Sequence, residues 1–326
     1  MFKISKISLP LLVVFSFFVG SCGDSKTKVD KEAEQIPMDV VVERFDQEFY
    51  TGKEEDFQAL KKKYPYLFPA GVADEAWLEK KQDTIFKELY QEVTKQYQDL
   101  NTLPADLKRL FQYIKYYYPE ESDHKKVITL ISEVDVAAKA IYADTLALIS
   151  LDTYLGKGHH FYKGFPAYTL TTFESSQILP DMAESFVIQK LPKTMDRTFL
   201  GTMIHQGKLM YAKEALLPAV PKESLITYTK EQLEWCKAHE SQIWRYFVDN
   251  QLFFDTDAKL TTRFIDPAPF SKFYLDIDNE SPGRVGVWIG WQIVRSFMEN
   301  NNVTLQELFA MPAKDIFEKS KYKPKK

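Results

Sequence analysis

Apolar side chains at Ile85, Leu89, Val93 and Tyr97 recur every four residues, with lysines and glutamates between them. That spacing gathers them on one face and predicts an amphipathic helix. The next periodic segment carries Leu107, Leu110, Phe111 and Ile114 as one stripe. Thr102 stands where an N-cap belongs, Pro104 suits the first turn, and Tyr116-Tyr117-Tyr118-Pro119 ends the run. Farther on, the pattern predicts a helix over 181–191 and a long one from about 195 to Pro218, with Phe199, Met203, Ile204, Met210 and Tyr211. Thr229 with Gln232 has the spacing of a capping box and starts a helix bearing Leu233, Cys236, Ile243, Trp244 and Phe247; Thr304 with Glu307 repeats the signal. Residues 285–299 are apolar on several faces, with Trp288 and Trp291 around Gly286 and Gly290. Such a helix belongs at the centre of a fold, and its glycines let another backbone come close.

Strand-length runs are fewer. Val40-Val41-Val42, Val127 to Ile131 and Leu146 to Leu151 are β-branched or aliphatic, with Ala140-Ile141-Tyr142 between the last two. They predict one small sheet, and Lys157 to Phe165 reads as a loop. The architecture expected is α+β and helix-rich, a small sheet packed with several long helices in a single globular domain over 37–320. Residues 22–36 are polar, charged and aperiodic and read as a flexible tether. The tail from Lys319 is expected to fray.

The amino end changes the picture most. Lys3 and Lys6 precede the apolar run Leu9 to Val19, and Gly20-Ser21-Cys22 follows. A basic start, an apolar run too short to span a bilayer and small residues before a cysteine describe a lipoprotein signal peptide over 1–21. Cys22 is then the lipid attachment site, and acyl chains on one cysteine hold a protein on a leaflet. Removing that leader takes away two of the 42 basic side chains and none of the 46 acidic ones. The remaining acidity argues against nucleic acid, since no basic excess is present to release counterions. Cys236 would be the second and last cysteine, so acylation of Cys22 leaves no intramolecular disulfide; Cys236 reads as a small buried apolar side chain.

Histidines and carboxylates are the side chains that could carry chemistry. His205 is followed by Gln206 and, four residues on, by Leu209. A zinc peptidase helix needs a glutamate base and a second histidine there, so neither the base nor the second ligand is present. His159 and His160 are adjacent in a glycine-rich loop, where extended neighbours diverge, and no carboxylate stands near them in sequence. Asp276-Ile277-Asp278-Asn279-Glu280 alternates like a calcium loop but places Ser281 and Val287 where glycine and glutamate are required. The segment reads instead as a polar loop whose Glu280 and Ser281 cap the helix after Pro282. No phosphate loop, dinucleotide fingerprint or hydrolase elbow occurs. The residues thus point to no catalytic group, no metal and no cofactor. Arg284, Trp288 and Trp291, with His205 and Glu280, remain as candidates for a partner or pocket surface.

Several segments together carry a resemblance. Ser21-Cys22-Gly23, Val42-Glu43-Arg44-Phe45-Asp46, Tyr64-Pro65-Tyr66-Leu67-Phe68-Pro69 and Leu151-Asp152-Thr153-Tyr154-Leu155-Gly156 resemble the gliding motility lipoprotein family GldB. So do Thr229 to Cys236, Ala268-Pro269-Phe270-Ser271-Lys272-Phe273, Asn279 to Arg284 and Gly290-Trp291-Gln292-Ile293-Val294. The likeness runs nearly end to end. It implies a lipid-anchored envelope protein required for gliding, with other envelope gliding-motility proteins and the membrane as partners and with no catalytic residues to carry over. A weaker likeness, in the helix around His205 and the Gly286 to Trp291 helix, is to zincin-type proteases. It implies an eroded peptidase scaffold, and as the alternative function a metal-dependent envelope peptidase or a degenerate one that binds peptide.

Overall fold

β-branched side chains pack well on a pleated surface, and the strand-length runs pair as expected. The computed structural model describes residues 27–276 and 278–325; the leader and Cys22 lie outside them. In chain order come α1 (Lys28–Glu34), β1 (Asp39–Arg44), α2 (Phe45–Thr51), α3 (Phe57–Lys63), α4 (Asp74–Gln82), α5 (Thr84–Gln96) and α6 (Leu103–Tyr117). The other strands follow: β2 (His124–Leu130), β3 (Ala140–Tyr142) and β4 (Leu146–Ser150). Then helices take over: α7 (Ile178–Lys190), α8 (Phe199–Leu216), α9 (Lys222–Ile226), α10 (Lys230–Ala238), α11 (Glu240–Asp249) and α12 (Lys259–Phe264). Last come α13 (Val285–Asn300), α14 (Leu305–Ala310) and α15 (Ala313–Ser320). The protein is helix-rich α+β.

The sheet order is β1-β2-β4-β3, parallel except where β3 meets β4. Its period-2 alternation sorts side chains to two cores. Val127, Ala147 and Ile149 face the main core with α6, α7, α8 and α13, whereas Ile128, Leu146 and Leu148 face the other way. There α2, α3 and the segment leading to α4 supply an aromatic cluster. Phe45 meets Tyr64 edge-on at 5.1 Å, and Phe68 meets Trp77 at 5.0 Å. Arg44 clamps Asp46 through Nε and Nη2 and donates from Nη1 to the Tyr97 carbonyl, so the Arg44-Phe45-Asp46 segment ties β1 to the end of α5.

α13 is central, as its all-round apolar sequence predicts, with both tryptophans buried. It crosses α8 at a seam made by facing glycines. A Cβ on Gly290 would run into the Met203 carbonyl, and one on Gly207 into the Gly290 carbonyl. Both capping boxes form, at Thr229 and at Thr304.

Five expectations need correcting. Ile85 is 62% exposed although Leu89, Val93 and Tyr97 are buried. A four-residue spacing outruns the 3.6-residue turn, so the stripe drifts off the buried face at its end. The helix begun at Thr229 breaks at His239, whose ring stacks on Trp235 at 4.2 Å, and α11 starts afresh. Thr102 forms no cap to the backbone; its hydroxyl donates to Asp106 at 2.7 Å. The tether read over 22–36 is already helical from Lys28. Thr27 and Asp30 form a capping box, Ala33 is buried, and the Gln112 amide donates to the Glu34 and Ile36 carbonyls at 3.1 and 2.8 Å. Val29 and Ala33, the two apolar residues turned to the core, are too few to set a period, and α6 supplies the partners. The tail is likewise pinned, by the Tyr322 hydroxyl donating to Glu240 at 2.7 Å.

Candidate functional site

Asp181 and Glu184 stand three apart in α7 and therefore share a face. Lys213, in the last turn of α8, comes to 2.6 Å from Glu184, and Lys139, just before β3, to 2.8 Å from Asp181. Tyr154 donates its hydroxyl to Asp181 at 2.9 Å, and the Lys139 ammonium lies 4.6 Å from the centre of that tyrosine ring. Arg284 completes the group from the start of α13. These five charged side chains line a cleft of about 640 Å³ between the β3 end of the sheet, α7 and the segments around Thr227 and Pro267.

The two carboxylates are matched by two ammoniums, and Arg284 is the charge left over. Among the described residues no carboxylate lies within ion-pairing distance of its guanidinium, whose one hydrogen bond goes from Nη1 to the Ile226 carbonyl at 3.0 Å. A guanidinium carries five N–H donors in a planar fork. Arg284 lines the cleft, and among the described residues its other N–H groups have no protein acceptor. Lys213 is nearly buried, at 3% side-chain exposure, whereas Glu184 remains 40% exposed on the cleft floor. Lys213 holds the Glu184 carboxyl below the usual range against the opposing effect of burial, and Arg284 adds to it. A carboxylate so stabilised is a fixed anion and a poor proton acceptor at neutral pH, where a general base needs a raised value. The arrangement suits binding.

Backbone strain gathers here too. Arg284 (φ +63°) and Thr227 (φ +64°) adopt the left-handed conformation and both line the cleft. Val134 (φ +60°), two residues before the lining Val136, does the same although it is β-branched. Buried Asp152 holds this turn, accepting from the backbone N–H groups of Ser132 at 2.9 Å and Val134 at 2.6 Å. Strained residues of this kind persist where the surroundings impose them, and they cluster at ligand sites. Three exposed apolar side chains, Val136, Tyr168 and Ile188, rim the same cleft.

Of the five residues singled out from sequence, only Arg284 lines this cleft. Trp288 and Trp291 are buried, at 2% and 0% exposure, so they form core and not a partner surface. The Trp291 indole N–H donates to Glu214 at 2.8 Å. Helix α13 is apolar on all sides because α8, α11, α12 and α15 surround it. His205 is half-buried on α8, away from the cleft, and burial together with Lys208 pushes its pKa down. Glu280 is exposed and does not cap α13; Ser271 does, its hydroxyl accepting from Val285 N–H at 3.3 Å. Asp278 organises the preceding turn through the N–H groups of Phe273 and Tyr274, at 3.0 and 2.9 Å. The adjacent histidines do not diverge. Their rings lie 4.5 Å apart, with His159 3.2 Å from Glu92 and His160 3.0 Å from Glu88, both on α5. Among the described residues no three histidine, cysteine or carboxylate groups converge to hold a metal ion. Cys236 is buried next to Tyr228, and burial pushes its thiol up to about 12, so it is an inert core group.

Sequence reasoning missed Lys139, Asp181, Glu184 and Lys213. The i, i+3 spacing of the two acids was the one local signal; their cationic partners come from distant segments. A family model described as gliding motility protein GldB matches residues 26–324. No curated protein and no solved structure matches the chain.

Proposed function

The chain belongs to the family of gliding motility protein GldB, and we propose that within gliding it acts as a lipid-anchored, non-enzymatic envelope component that docks another motility protein. The family itself ties the protein to gliding motility. The anchor is Cys22, supported by the basic, apolar and small-residue succession before it. None of the described helices is long and apolar enough to cross a membrane. The observation that carries the docking role is the cleft under Arg284, where each carboxylate is paired with a lysine and the guanidinium pairs with no carboxylate among the described residues.

Two measurements test this. Cys22→Ser is expected to abolish labelling by a fatty-acid probe and to leave the precursor uncleaved; normal labelling overturns the anchor. Purified full-length protein is expected to carry no stoichiometric zinc. Zinc that is present and disappears in His205→Ala would overturn the non-enzymatic reading in favour of a peptidase.

A further inference from the structure

We propose that the cleft takes a carboxylate-bearing segment of a partner protein, its carboxylate seated on the Arg284 guanidinium and its apolar side chains against Tyr168 and Ile188. The inference rests on the docking role given above and names the chemistry of what docks. Charge decides the sign of the ligand. The cleft presents three cations and two carboxylates, and both carboxylates are already engaged by Lys139 and Lys213. The unspent charge is therefore positive, and it is a planar fork whose geometry matches a carboxylate with two parallel N–H bonds.

Position makes that charge usable. Arg284 is held half-buried by its bond to the Ile226 carbonyl, and its left-handed backbone is fixed where Gly283 packs against the Ala268 carbonyl. An arginine fixed in this way loses little freedom on binding. Glu184, partly exposed on the floor, repels a further carboxylate, so the cleft accepts a single acid, the one seated on Arg284. The apolar rim selects the rest. Tyr168 and Ile188 are 41% and 58% exposed, and covering them removes apolar surface from water. An isolated small anion would leave that rim uncovered; an extended segment with an acidic residue flanked by apolar ones uses both parts. The carboxylate can be a side chain or a chain terminus.

The test uses the full-length protein purified from membranes and fluorescent nonapeptides of fixed Phe, Leu and Ser composition. One has a central Glu and an amidated end, one a central Gln, one a central Lys, and one has no acidic side chain but a free carboxyl terminus. Fluorescence anisotropy at low salt is expected to show the Glu or the free-terminus peptide binding about tenfold more tightly than the Gln peptide, the gain of a charge-assisted bond over a neutral one. Whichever of the two binds identifies the carboxylate. Arg284→Gln is expected to erase the difference between Glu and Gln, and Arg284→Lys to restore part of it. Ile188→Asp, at an exposed position, should weaken the acidic peptides without altering the melting temperature. Equal binding of Glu and Gln, tighter binding of Lys, no binding of any peptide, or an unchanged preference in Arg284→Gln would each overturn the proposal. Those outcomes leave the anchor unaffected, because Cys22→Ser labelling reads it independently.

Discussion

Helix α8 meets two different environments along its length. Against α13 it runs through a dry seam in which Gly207 and Gly290 let the backbones touch. At its last turn it meets the cleft, where Lys213 is buried beneath a partly exposed carboxylate. The seam holds its shape by leaving no space, and the cleft by pairing charges. A seam of that kind tolerates no added atom. A cleft wall of the other kind tolerates volume but not a missing charge, because a buried ammonium without its partner is costly.

The largest effect should come from filling the seam. Gly290→Leu is expected to cost about 3 kcal/mol or more in denaturant unfolding, since the obstruction is the Met203 backbone carbonyl, which cannot turn aside. Even Gly290→Ala should destabilise, although alanine in a helix interior gains about 1 kcal/mol over glycine by propensity alone. A neutral or stabilised Gly290→Ala would show that the two backbones are not in contact.

Breaking the charge pair should come next. Glu184→Gln leaves the Lys213 ammonium buried, and a loss of about 2 kcal/mol is expected, discounted from the fully buried case because the carboxylate is partly exposed. Adding Lys213→Met should recover most of it. The pH dependence has a definite sign. The folded carboxyl titrates below its unfolded counterpart, so its stabilisation is complete above the usual glutamate range and disappears as pH falls through the folded value. Glu184→Gln should therefore flatten that part of the acid limb in unfolding measured against pH.

An effect that only pH brings out contrasts two lysines on the one helix. Lys208, five residues before Lys213, is also buried but pairs with no carboxylate among the described residues; its ammonium donates to the Phe309 and Met311 carbonyls at 3.0 and 2.7 Å. Burial lowers its pKa to about 8. Between about pH 8 and 10 the unfolded chain then holds the extra proton, so the contribution of this group to stability rises with pH. Lys208→Met should remove that rise, seen as the difference between the two melting curves across the window. An identical slope in the variant would mean that the ammonium is as well solvated in the fold as outside it.

Local signals made much of the fold legible. The capping boxes at Thr229 and Thr304, the β-branched and aliphatic runs of the strands and the all-round apolar character of α13 each reside within a few neighbouring residues, and each appears as read. The family was legible for another reason: its motifs recur in order along nearly the whole chain. Reading failed where a partner lay far away in sequence. α1 is ordered because α6 receives it, and His159 and His160 converge because α5 presents Glu92 and Glu88.

The candidate site shows the same division more sharply. By itself the sequence determined the strand-length runs and the longer periodic helices, since dihedral preference and hydrophobic period act between near neighbours. It also placed Arg284 ahead of a central helix. Only the tertiary structure decided that Trp288 and Trp291 face inward and that Lys139, Asp181, Glu184 and Lys213 surround one cleft with Arg284. Charges act across a few ångströms of space whatever their separation along the chain, so which one is left without a counter-ion is settled only once distant segments have been packed together.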